Sequence, residues 1–69
     1  MITTKDIQVR LADAIKQSGM TQSALGKLLN VSQQTISGYV KGDKMPALDT
    51  FANLCKLLDV ETDYILCQK

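Results

Sequence analysis

Residues 21–41 read TQSALGKLLNVSQQTISGYVK, two short amphipathic patterns parted by a few residues without proline. In the first, Leu25, Leu28 and Leu29 recur at i, i+3 and i+4, an apolar stripe set against Gln22, Ser23 and Lys27. In the second, Ile36, Tyr39 and Val40 repeat the same spacing against Gln33, Gln34, Ser37 and Lys41. Thr21 and Ser32 stand where hydroxyl N-caps belong, so two helices start eleven residues apart. Between them Leu29-Asn30-Val31-Ser32 must turn sharply. Asn30 is one of the few non-glycine residues that tolerate the left-handed conformation, and Val31 would plug the turn.

Two helices joined by a turn this short form a helix-turn-helix, the unit whose second helix enters a DNA major groove. The polar face of the second helix is therefore the face that bears on function.

The rest of the chain supplies the frame. A first helix is predicted from near Thr4 to Ser18-Gly19, with Ile7, Leu11, Ala14 and Ile15 inward, Lys5, Asp13, Lys16 and Gln17 outward, and Gly19 as its stop. Arg10 reads as an ordinary surface residue. Lys41-Gly42-Asp43-Lys44-Met45-Pro46 closes the third helix, with Gly42 beyond its end and Pro46 barring continuation. A fourth helix is expected near Asp49, with Leu48 before the cap and Phe51, Leu54, Cys55 and Leu58 as its core stripe. Thr62 reads as the cap of a last short helix carrying Tyr64, Ile65 and Leu66. The result is an all-α chain of five helices, residues 1–69 as one domain, with no strand, repeat or linker.

Sixty-nine residues bury only about 60% of their unfolded surface, which makes a small core. With 45% hydrophobic and 22% charged residues and one proline, the composition is that of a helical globule. No apolar run approaches a bilayer span, and no apolar stretch follows Lys5 as a secretory signal would require; a cytoplasmic protein is expected. Cys55 and Cys67 fit free thiols there. Their spacing matches no metal pattern and histidine is absent, so neither metal nor cofactor is expected. An enzyme reading is poor, for there is no glycine-rich phosphate loop and no carboxylate cluster on a buried face.

Net charge is only +1, but it is unevenly spread. Residues 1–46 hold six basic and three acidic residues, giving +3, and residues 47–69 hold two and four, giving −2. The basic part is the part that holds the two-helix unit.

Thr21-Gln22, Leu25, Val31-Ser32, Ile36-Ser37, Tyr39, Gly42 and Pro46, followed by Leu58, Val60 and Asp63-Tyr64-Ile65-Leu66, resemble the lambda-repressor-like family of phage repressors and Cro proteins, also called the XRE family. The match runs from about residue 7 to 67. Gly26 and Asn30 depart from it, standing where the family more often has Ala and Gly, and Gly38 is a third departure, at a helix-interior position that the family often uses for a base contact. The resemblance implies a five-helix fold, a double-stranded operator as partner, and a two-fold homodimer on DNA. By the same resemblance Gln22 holds a phosphate, and Gln33 and Gln34 read base edges.

Elementary chemistry supports those roles. The N–H groups at a helix start favour an anion beside Gln22. The amides of Gln33 and Gln34 carry a donor and an acceptor each, able to pair with adenine N6 and N7. Ser32, expected among the phosphate contacts, and Ser37, among the base contacts, are as short as capping requires, and backbone bonding is their simpler role. Gly38 completes the base-facing set. Inside a helix it costs about 1 kcal/mol relative to Ala, which suits either a close approach of backbone to duplex or a tolerated surface glycine. Lys27, Lys41 and Lys44 would add sequence-independent attraction. Dimerisation is expected through Tyr64, Ile65 and Leu66, against the simpler reading that packing within the monomer accounts for at least Ile65 or Leu66. The rival is a protein-interaction module of the same fold, such as an antitoxin or antirepressor. A protein-binding face would more often show an apolar anchor where this chain shows amides and hydroxyls.

Overall fold

A computed structural model describes residues 1–69. It contains five helices: α1 Thr4–Gln17, α2 Gln22–Leu29, α3 Gln33–Lys41, α4 Leu48–Leu58 and α5 Thr62–Ile65. The expected all-α, five-helix fold is present. α3 packs against both α2 and α1, α5 closes on α1, and α4 lies against α2.

The core draws on every helix: Leu11 and Ile15 from α1, Leu25 from α2, Ile36 and Tyr39 from α3, Phe51, Leu54 and Cys55 from α4, and Ile65 from α5. Leu28 is not among them; it is 60% exposed. At about 100° per residue, Leu28 and Leu29 sit on either side of Leu25, and one eight-residue helix cannot face inward over that whole arc. Leu25 is fully buried and Leu29 packs against the core, which leaves Leu28 outside.

The helix starts follow local chemistry where a hydroxyl is available. Thr3 accepts from the Asp6 N–H while the Asp6 carboxylate accepts from the Thr3 N–H, a reciprocal cap that holds the Asp6 carboxyl below its usual range. Thr21 accepts from the Ala24 N–H at 3.0 Å, and Ser32 from the Thr35 N–H at 3.1 Å. α4 and α5 differ from expectation. α4 begins at Leu48 behind Ala47, with the Asp49 carboxylate bonded to its neighbour Thr50 N–H instead of capping the helix. α5 begins at Thr62 behind Glu61, so Thr62 is a helical residue and no side chain caps the start.

The helix ends share a device. Asn30, Gly42 and Asp59 all adopt the left-handed conformation, with φ of 59°, 95° and 55°. After α2 the Val31 N–H reaches back to the Gly26 carbonyl at 2.9 Å, and after α4 the Val60 N–H reaches Cys55 at 3.0 Å. Both are the six-residue closure that brings the next apolar residue onto the core.

Arg10 is no idle surface residue. Its guanidinium donates to the carbonyls of Tyr64 at 2.7 Å and Lys69 at 3.0 Å and lies 4.7 Å from the Tyr64 ring centre. It thereby ties α5 and the chain beyond it to α1, and a four-residue helix would not persist alone. Ile65 beneath it is fully buried and Leu66 packs on the core. Two of the three residues expected to form a dimer contact are thus held inside the protomer, and the third, Tyr64, is half-exposed under Arg10. Packing within the protomer thus accounts for Ile65 and Leu66, which dock the last helix on the core, and leaves Tyr64 as the exposed member of the three.

Replacing Arg10 with Ala should cost about 1–2 kcal/mol, since it removes charge-assisted bonds and a ring contact at a partly exposed site. Hydrogen exchange should accelerate first over residues 64–69, with the amides of α3 following only at the level of global unfolding.

Burial pushes both the Tyr39 phenol and the Cys55 thiol above their ordinary values of 10.0 and 9.0. For such raised groups the stabilisation is complete below the unfolded-state value and is lost as pH rises through the folded one. Thermal midpoints should hold up to about pH 9 and then fall, and Tyr39→Phe should make the fall shallower.

Candidate nucleic-acid interface

Gln33 and Gln34 are the first two residues of α3, and both are exposed. Their exposure has a local cause. Ser32, as N-cap, turns its side chain to the Thr35 N–H and lies 2.9 Å from the Thr35 hydroxyl. That fixes the direction in which the first turn leaves the bend. Ile36 and Tyr39 then take the inward positions, so the residues at the start of α3 face outward. Two amides, each with donor and acceptor, stand together at the head of a helix.

α2 sets the angle of that helix. A Cβ on Gly26 would lie 2.8 Å from the Val31 carbonyl oxygen, so the bend passes directly over the α2 backbone. Here the departure from alanine admits an unusually close turn. Gln22, the first residue of α2, is half-buried behind the Thr21 cap. Lys27, Lys41 and Lys44 are all exposed, Lys27 on α2, Lys41 in the last turn of α3 and Lys44 in the loop beyond.

The serines divide. Ser32 is occupied by its capping bonds, the simpler of its two expected roles, although it remains exposed. Ser37 is half-buried and follows Ile36.

Gly38 is where the structure departs from the expected base-facing set. It is buried, and a Cβ built on it would meet Cδ and Cγ of Lys44 at 3.0 Å and Cβ at 3.3 Å. The Gly38 carbonyl also accepts from the N–H groups of Gly42, Asp43 and Lys44. Gly38 is therefore neither a surface glycine nor bare backbone open to a duplex. It is a slot in which the aliphatic stem of Lys44 lies, a common way for lysine to cover apolar surface while its ammonium stays in water. Sequence alone hid this, because a contact between a helix and its following loop leaves no periodic signature.

Gly42 closes the same corner. Its φ of 95° strains any residue with a side chain, and the end of the Gln8 side chain lies where a Cβ would sit. The loop carrying Lys44 is thus tied to Gly38 through hydrogen bonds and passes beside Gln8 of α1. No group of three or more His, Cys, Asp or Glu side chains converges anywhere, and no helix is long and apolar enough to cross a membrane.

The sequence of this stretch is similar to that of known proteins. A helix-turn-helix family model, HTH_3, matches residues 11–65, from the middle of α1 to the end of α5. The HTH-type transcriptional regulator ImmR of Bacillus subtilis (strain 168) is 35% identical over 57 residues, 83% of this chain and 45% of its own. The chain thus spans less than half the length of that relative. No solved structure gives a significant match. Since the matched stretch includes both helices, the bend between them and the core that supports them, the chain belongs to the XRE-type helix-turn-helix family.

Proposed function

We propose that this chain is a sequence-specific double-stranded DNA-binding regulator, a repressor without catalytic activity, that reads a major groove with the first turn of α3. The observation carrying the reading is the exposure of Gln33 and Gln34 at the head of a helix whose angle is set by the tight bend over Gly26. Similarity to a transcriptional regulator supports it.

The roles divide by chemistry. Gln33 and Gln34 offer bidentate pairing to adenine edges, with Ser37 beside them as a shorter polar contact. Gln22, at the start of α2, meets a phosphate that fixes register, as does the exposed edge of Ser32. Lys27, Lys41 and Lys44 neutralise phosphates without regard to sequence. Lys44 is the best placed of the three, since its stem is confined along Gly38 and its ammonium explores less space than that of a free surface lysine. A two-fold pair of chains would set two reading helices about 34 Å apart on one side of a duplex. The antitoxin or antirepressor alternative draws support from the exposed apolar residues on α2 and α4, which are compatible with a DNA-reading α3 on the same chain.

Selection of bound duplexes from a random pool, at two salt concentrations, tests the reading. Gln33→Ala should relax the preference at one base pair per half-site and lower affinity for the selected duplex by about 1–3 kcal/mol. A uniform loss on all duplexes with an unchanged preferred sequence would contradict base reading by this amide.

Lys44→Ala should behave in the opposite way. Affinity should fall for every duplex alike, and the slope of log affinity against log salt should become shallower by about 0.9. A changed sequence preference would show that the loop contacts bases.

A further inference from the structure

The outward face of α4 consists of Leu48, Asp49, Ala52, Asn53, Lys56 and Leu57, every one exposed. Leu48 is 84% exposed and Leu57 39%, and with Leu28 of α2 they are all the exposed leucines of the chain. Leu28 and Leu57 border one hollow, while Leu48 stands at the other end of α4. A hollow between α2 and α4 is lined by Leu28, Leu29 and Leu57, with Asp49 and Lys56 along it.

We propose that this face binds a second copy of the same chain, α4 packing antiparallel on α4 about a two-fold axis between Ala52 and Asn53. The support is the symmetry of the sequence on that face. In such a pair, residues equally far from the midpoint meet across the interface, and each contact occurs twice. Asp49 meets Lys56 of the other copy, and Lys56 meets its Asp49. Leu48 meets Leu57 of the other copy, at the wall of the α2–α4 hollow, where Leu28 and Leu29 complete an apolar seat for it. Ala52 lies at the centre, small enough for two helix axes to approach within about 8–10 Å.

Charge also selects the direction. A parallel pair would set Asp49 against Asp49 and Lys56 against Lys56, which disfavours association, whereas the antiparallel pair makes both contacts attractive. The last helix offers less to a partner, because Ile65 is fully buried and Leu66 is packed within the protomer, leaving Tyr64 alone half-exposed. This inference deepens the reading of a two-fold regulator and rests on it only for the use made of the pair, since association is measured without DNA.

Sedimentation of the chain over a concentration series, without DNA, provides the test. The unaltered chain should pass from monomer to dimer. Asp49→Lys and Lys56→Asp should each weaken association at least about tenfold, because each sets like charges face to face twice. An equimolar mixture of the two single variants should recover dimers, as should the chain carrying both changes. Leu48→Gln, a change at a side chain with almost no cover, should weaken association to a similar degree without altering charge, and circular dichroism should show unchanged helix content. The proposal is overturned if the unaltered chain stays monomeric throughout, if the single-charge variants associate as well as it does, or if mixing them recovers nothing. Loss of duplex selection with dimers intact would instead overturn the DNA-reading assignment and leave this face standing.

Discussion

The bend between α2 and α3 depends on one close approach, the Val31 carbonyl resting over Gly26 while Asn30 takes the left-handed conformation. Every outward-facing feature of α3 is downstream of it. The Val31 N–H bonds back to Gly26 at 2.9 Å, which brings Val31 onto the core and delivers Ser32 as the cap of the next helix. A larger residue at position 26 would have to displace backbone, and packed backbone yields reluctantly. The separation between the helices and the direction of α3 are consequently fixed together, before any ligand is present.

Most of this fold was legible in the sequence because it is written in local chemistry. Thr21 and Ser32 do cap α2 and α3, Asn30 and Gly42 do end them, and the stripes of α1, α3 and α4 do form the core. What misled was the assumption that a spacing pattern assigns burial residue by residue. Leu28 obeys the pattern and lies outside, because α2 is too short and too narrowly covered for three leucines to face inward. Likewise Ile65 and Leu66 look like an apolar surplus until α5 is seen docked on α1, with Tyr64 left half-exposed.

The interface shows the same division. That Gln33 and Gln34 begin α3 and face solvent followed from the Ser32 cap and the stripe of Ile36 and Tyr39. The relation of Gly38 to Lys44 did not, since it joins a helix interior to a loop six residues later through packing alone. Arg10 was misjudged for a related reason: its partners are carbonyls 54 and 59 residues away in the chain, and a carbonyl has no residue identity to read.

These placements bear on how a nearly neutral helical unit would discriminate among duplexes on the proposed reading. Neutral amides contribute base preference without the indiscriminate attraction of a strongly basic surface, and three lysines supply few phosphate contacts. One copy alone would therefore hold DNA weakly and sample it quickly. Joining two copies makes the second set of contacts intramolecular, so that weak half-site preferences multiply into one strong one without any additional charge. On that logic the exposed leucines of α2 and α4 and the exposed amides of α3 have complementary tasks. On the proposed reading the first would fix how many reading heads act together and the second what each head prefers, and neither task would call for a large positive charge on this chain.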